Sequence, residues 1–208
     1  MMDRSLASLP IVTSPAPSPG PLGVAGSDLL ALLEQARERA RDRGAPVVAS
    51  LVVPMVAPDH RVLALALDRL EDDAFVWRPP GSAGAMLGAG LAGAAVASGP
   101  SRFAAARTTW KELCDAAVVQ RLDADAPSLT TGPVLVGGFA FDPLSARDPM
   151  WDGFPDGLLI LPRLLVTTQG ARGWLSLNAS IEASSDPAVE AERLLAHSGR
   201  LEAAILLG

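Results

Sequence analysis

Apolar positions first recur at helical spacing in Leu29, Leu30, Leu32, Leu33 and Ala36. Ser27 stands where an N-cap belongs and Gly44 where a glycine follows a helix, so the pattern predicts a helix between them. Short β-branched runs come next. Val47–Val53 predicts a strand closed by Pro54. Val62–Leu67, which alternates leucine with alanine, predicts a second strand, and Phe75-Val76-Trp77 a short third one stopped by Pro79-Pro80-Gly81. The connections are too short for crossover helices, which predicts antiparallel meander pairing.

Residues 81–100 are rich in glycine and alanine and predict a strand packed closely against another backbone. Ser101 predicts the cap of a helix running to about Arg121 and carrying Phe103, Trp110, Leu113 and Val118. Gly132–Pro143 reads as a buried strand with Gly137 and Gly138 inside it. A glycine pair there weakens a strand and implies close approach of a backbone or ligand. Gly157–Thr168 and Gly173–Ile181 predict two further strands joined by a hairpin at 169–172, and Pro162 predicts an edge position or a bulge. Asp186 with Pro187 behind it opens a last helix. The fold class expected is α+β, an antiparallel sheet packed with helices. Residues 1–26, with five prolines among serines and glycines, are expected to form a disordered leader, and 27–208 the folded part.

Composition narrows the function classes. Hydrophobic residues make up 49% and charged residues 19%, as in globular proteins. The net charge of -6 and the lack of a basic stripe exclude a nucleic-acid partner. No apolar run is long enough to predict a membrane span. Cys114 is the only cysteine, which suits the reducing cytoplasm and excludes an internal disulfide or a thiolate cluster. His60 and His197 have no metal-ligand spacing.

Individual motifs carry little chemistry. Gly88-Ala89-Gly90-Leu91-Ala92-Gly93 matches the GxGxxG string of dinucleotide-binding folds. It lacks the strand-then-helix context that such a site needs, since Pro79-Pro80 precedes it and Ser98-Gly99-Pro100 follows. The run from Arg37 to Arg43 reads as a solvated helix face with i,i+4 pairs rather than an anion patch. Lys111 and Glu112 are adjacent on a helix and do not face each other, so both are expected at the surface. Cys114 is expected to be a small buried hydrophobe. Asp-Pro and Asp-Gly in Arg147–Pro155 are accounted for by turn formation.

Four segments taken together resemble the N-terminal part of the chorismate-utilising enzymes, and among them the isochorismate synthases. They are Phe75-Val76-Trp77-Arg78-Pro79-Pro80, Leu87-Gly88-Ala89-Gly90, Gly132–Pro143 with Gly137, Gly138, Phe139, Phe141 and Asp142, and Trp151-Asp152-Gly153-Phe154-Pro155 leading into Leu161-Pro162-Arg163. The resemblance covers about residues 45–180. Arg78 departs from it, because the family has glutamate there. The resemblance implies an α/β sandwich whose N- and C-terminal halves share one core. It implies conversion of chorismate to isochorismate with Mg2+, with a lysine as base toward water, a glutamate as acid and two glutamates on the metal. An acid is needed because hydroxide is a poor leaving group, and Mg2+ suits carboxylate ligands.

The family's lysine strand and glutamate motifs are absent from residues 1–208, and Lys111 stands in the wrong context, so no residue is assigned a catalytic, substrate-binding or metal-binding role. The expectation is the N-terminal portion of an isochorismate synthase, inactive and binding no Mg2+ by itself, with the missing C-terminal half as its partner and an apolar surface where that half would pack. Chorismate would bind only to the complete enzyme. Anthranilate, aminodeoxychorismate or salicylate synthase is the alternative within the family. A non-enzymatic binding or assembly module is the alternative outside it.

Overall fold

A computed structural model describes residues 21–70, 73–142, 150 and 153–207. A short 3-10 turn, Pro21–Gly23, leads into helix α1 (Gly26–Arg43) and strand β1 (Val47–Val56). Helix α2 (His60–Asp68), strands β2 (Ala74–Trp77) and β3 (Gly84–Ala97), helix α3 (Arg102–Ala116) and strand β4 (Val118–Arg121) follow. Strands β5 (Val136–Phe139), β6 (Gly157–Gln169) and β7 (Arg172–Ile181) and helix α4 (Pro187–Leu206) complete the order. The strands form one seven-stranded sheet in the order β2-β3-β6-β7-β1-β4, with β5 paired to β6. Every pairing is antiparallel except β1 with β4. The fold is α+β as expected, but it is not a meander, since β1 lies between β7 and β4.

Strand alternation assigns the two faces of the sheet. Val47, Ala49, Leu51 and Val53 of β1, Leu175, Leu177, Ala179 and Ile181 of β7, and Leu164 and Val166 of β6 point to one face. There they meet Leu29, Leu32, Leu33 and Ala36 of α1, Leu63 and Ala66 of α2, and Leu194 and Leu201 of α4. This is the main core, and each fully buried leucine in it contributes about 2 kcal/mol by removal from water. The same face is bare at the far end of β3 and β6, where the paired Val96 and Leu158 are exposed.

The second face is more polar. Ser50, Ser176, Asn178 and Thr167 are buried on it. Loop 122–135 lies over them and satisfies them: Gly132 N donates to Ser176 Oγ at 2.9 Å and Thr167 Oγ1 donates to the Thr130 carbonyl at 2.5 Å. Ser50 Oγ donates to Asn178 Oδ1 at 2.6 Å. Trp174 packs with Val52 and Ala126 under the same loop. Asn178 is therefore a core residue, and the Asn-Ala-Ser sequon that begins with it is closed to modification.

Several boundaries differ from the sequence reading. Val62–Leu67 is not a strand but the body of α2. Its leucine–alanine alternation also satisfies a helical stripe, with Leu63, Ala66 and Leu70 buried on one side, and leucine and alanine both favour helix. Pro54 does not close β1, which continues to Val56 as the partner of β7. The helix from Ser101 ends at Ala116 rather than Arg121. The β-branched Val118-Val119 pair joins β1 in parallel, and Arg39 Nη1 donates to the carbonyls of Ala116 and Ala117 at the helix end. Arg39 stays exposed, as the charged run predicts, but its guanidinium is taken up by the end of α3. Neither Ser27 nor Ser101 caps a helix with its side chain: α1 starts at Gly26, with Ala25 at its cap, and Ser101 makes no cap bond. Asp186 does cap α4, accepting from Ala188 N at 2.9 Å. Gly44 ends α1 in the left-handed region at φ 64°.

Pro162 stands at an interior position, not an edge. The ladder between β3 and β6 carries a bulge between Leu91 and Gly93, opposite Pro162, where a regular bond to a proline nitrogen would be missing. Beyond it β6 changes partners. Leu164–Gln169 pairs with β7, whereas Gly157–Ile160 pairs with β5. Strand β7 runs on past Leu177 with β1 alone. The sheet therefore forks at Pro162, and Asn178 Nδ2 bridges the fork by donating to the Pro162 carbonyl at 2.9 Å.

Candidate functional site

Gly137, Gly138 and Phe139, singled out in the sequence, lie on β5 at its junction with β6 and α3. Only Val136–Phe139 of the Gly132–Pro143 stretch is strand, and it is not a buried one, because Gly137 and Gly138 are exposed. Gly137 explains itself by close approach: a Cβ there would lie 1.9 Å from the Leu158 carbonyl oxygen. Gly138 has nothing within 4 Å of such an atom. Phe139 is paired with Gly157, and a Cβ on Gly157 would lie 2.6 Å from Phe139 Cδ1. The Phe139 ring also meets Phe103, with centroids 4.7 Å apart and planes tilted by 47°.

Backbone after Phe139 is pinned from two directions. Arg102, the first residue of α3, is buried, and its Nη2 donates to the carbonyls of Ala140 at 3.0 Å and Phe141 at 3.2 Å. Its Nη1 donates to the Gly99 carbonyl at 3.4 Å, and its guanidinium lies 4.4 Å from the Phe103 ring centroid. Its Nε has no partner. Asp156 completes the junction: its carboxylate accepts from Gly99 N at 2.7 Å and its backbone carbonyl accepts from Ala140 N at 2.7 Å. Phe141, Asp142 and Phe154 are exposed, and Pro155 is half-buried. Pro143, Trp151, Asp152 and the Arg147–Pro149 part of the following loop lie outside the described residues.

Phe75 and Trp77 are not brought to this junction. They sit on β2, separated from β5 by β3 and β6. Phe75 repeats the same device there: it pairs with Gly88, and a Cβ on Gly88 would lie 2.1 Å from Phe75 Cε1. Gly88 to Gly93 runs inside β3 as a bulged strand, as the rejection of a dinucleotide fingerprint requires.

Neither Lys111 nor Cys114 is set up for base or nucleophile chemistry. Lys111 is exposed and donates to Asp115 at 2.5 Å. That hydrogen bond raises its pKa, the opposite of what a neutral general base needs. Cys114 is exposed, against expectation, on a helix that buries only Arg102, Ala106 and Ala116. Its thiol pKa is pushed up by partial desolvation and then by Asp115, so it is no activated nucleophile. Among the described residues no group of three or more His, Cys, Asp or Glu lies close enough to hold a metal ion, so they do not fit a Mg2+ site. No helix among them is long and apolar enough to cross a membrane.

Arg102, Asp156 and Gly157 escaped the sequence reading. The one available signal was the Ser-Gly-Pro-Ser turn, which places the next residue at a helix start. Asp123 escaped it too. Its carboxylate accepts from Trp174 Nε1 and Arg172 Nη2, both at 2.9 Å, and from Asp125 N at 3.0 Å. These bonds, the indole first, hold its pKa below the ordinary 3.8 and tie loop 122–135 to β7.

Residues 32–205 match the family model described as chorismate binding enzyme. The chain belongs to that family. Within the chorismate binding enzymes it is similar to the Bacillus subtilis (strain 168) protein named isochorismate synthase MenF, with 37% identity over 65 residues, or 31% of this chain and 14% of that protein. It is also similar to the salicylate biosynthesis isochorismate synthase of Pseudomonas aeruginosa, with 36% identity over 74 residues, or 36% of this chain and 14% of that protein. Among solved structures it is similar to MenF, the menaquinone-specific isochorismate synthase from Escherichia coli, at 17% identity and a TM-score of 0.41, covering 79% of this chain and 33% of that one. The matched segments thus span only a small part of each relative.

Proposed function

We propose that this chain is the N-terminal portion of an isochorismate synthase, interconverting chorismate and isochorismate with Mg2+ in a menaquinone or siderophore route. In this reading it supplies scaffold, while the acid, base and metal ligands come from a C-terminal portion. The observation that carries the reading is the match of residues 32–205 to chorismate binding enzymes, joined to relatives named isochorismate synthases. A further feature supports it: the bare stretch of sheet at Val96 and Leu158 is an apolar surface of the kind a second half would cover. The test is a product-resolved chorismate assay with the C-terminal portion supplied. Isochorismate formed only with Mg2+ is the expected product, and anthranilate formed with ammonium would replace the reading.

A further inference from the structure

Loop 122–135 is folded on itself before it is fastened to anything else. Ala126 N donates to the Asp123 carbonyl at 3.2 Å, and Asp125 N to the Asp123 carboxylate at 3.0 Å. Thr130 N and Thr131 N donate to the Pro127 carbonyl at 3.2 and 3.1 Å, and Thr131 Oγ1 donates to the same carbonyl at 2.8 Å. A loop built on its own turns keeps its shape when it leaves the surface beneath it.

Its hold on the sheet is mostly polar. No residue of the loop belongs to the main core, and of residues 122–130 only Ala126 is buried, against Val52 and Trp174. The other attachments are hydrogen bonds at two ends. At one end the Asp123 carboxylate accepts from Trp174 Nε1 and Arg172 Nη2, both at 2.9 Å. At the other end Thr131, Gly132 and Pro133 are buried, and Gly132 N donates to Ser176 Oγ at 2.9 Å. There Arg121 Nη2 also donates to the Thr131 carbonyl at 3.4 Å. Lifting the loop exchanges these bonds for bonds to water, a small net loss for each, and wets little apolar surface. The strands beneath it are held by apolar burial and stay closed far longer. We propose that loop 122–135 is a strap, clipped at Asp123 and at Gly132, that opens as one unit while the sheet and helices stay folded. Open, it exposes the polar strip of Ser50, Thr167, Ser176 and Asn178. Leu135 leads straight into Val136, so the seat of the strap also sets where β5 begins. The proposal goes beyond the chorismate reading and does not depend on it.

The test is amide hydrogen exchange of the full chain under native conditions, repeated at low, sub-denaturing urea. Ala126, Thr130, Thr131 and Gly132 should share one protection factor, at least about a hundredfold below that of the β1 and β7 amides. Their exchange should respond only weakly to urea, because the opening exposes little surface. Asp123→Asn should lower protection at all four by a common factor of about ten. Gly132 is included although it bonds Ser176 and not Asp123. Ser176→Ala, at the other clip, should lower Ala126 by the same factor as Thr131. If the serine variant fails to fold, the parent and Asp123→Asn still decide. Four unrelated protection factors, protection as high as that of the β1 and β7 amides, or a substitution felt only beside its own site would overturn the proposal.

Discussion

Phe139 lies across the strand pair from Gly157 so closely that a Cβ on Gly157 would sit 2.6 Å from its ring and 3.3 Å from the Ala97 carbonyl oxygen. The ring covers glycine backbone and also meets Phe103. Phe75 over Gly88 repeats the arrangement on the edge strand β2. The aromatic–glycine pairs are thus fold-forming contacts between strands. Gly157→Ala should cost about 1–3 kcal/mol, since the added Cβ would meet the Phe139 ring at 2.6 Å and force it or the strand pair to shift. A cycle with Phe139→Ala should show coupling, because the alanine is tolerated once the ring is gone. Urea midpoints of the four proteins check this, and additive costs would contradict it.

The adjacent glycines should behave oppositely. Gly137→Ala meets the Leu158 carbonyl at 1.9 Å and forces the β5–β6 pair apart, a cost of about 3 kcal/mol. Gly138→Ala meets nothing and should stay within about 0.5 kcal/mol of the parent. Thermal melts of the two variants separate a packing glycine from a permissive one.

Removing the Arg102 pin should loosen the segment that follows Phe139. Arg102→Ala leaves the carbonyls of Ala140 and Phe141 without their charged donor, at about 2 kcal/mol. Lysine, a point donor without the planar fork, should recover little of it. Hydrogen exchange should rise at Ala140, whose N–H is held by the Asp156 carbonyl, and at Gly99, and stay unchanged in α4.

Asp123 should make stability fall in acid. Its pKa is lower folded than unfolded, so its contribution is fully present above the ordinary carboxylate value of 3.8 and is lost as pH falls through the folded value below it. Asp59, which accepts from Arg61 N, acts in the same direction. Asp123→Asn should lower the melting temperature at neutral pH and flatten its fall below about pH 4. Near-ultraviolet signals of Trp174 follow the loss of the indole bond. A variant with the parent's acid profile would contradict the assignment.

The long elements were legible because one rule decided each of them. The leucines of α1, Asp186 before Pro187, and the apolar runs of β6 and β7 each point to a single outcome. Val62–Leu67 was not, because leucine alternating with alanine satisfies both periods, and only packing of Leu63 and Ala66 against α4 and the sheet decides. β4 was hidden by its continuity with α3. Of the glycine pair, Gly137 marks a close approach and Gly138 does not; the partner, Leu158, lies twenty-one residues on from Gly137 and no local rule points to it. Arg102 was invisible for the same reason, since its acceptors are nearly forty residues away. The family was legible from the Gly-Gly-Phe-Ala-Phe-Asp block, although that block turns out to shape backbone.

The most direct measurement is chorismate turnover by the purified 208-residue chain with Mg2+, with isochorismate, salicylate and anthranilate resolved by chromatography. A scaffold that lacks the acid, base and metal ligands gives no product above a mock-purified control. Isochorismate above that control would place the catalytic groups within this chain and contradict the account.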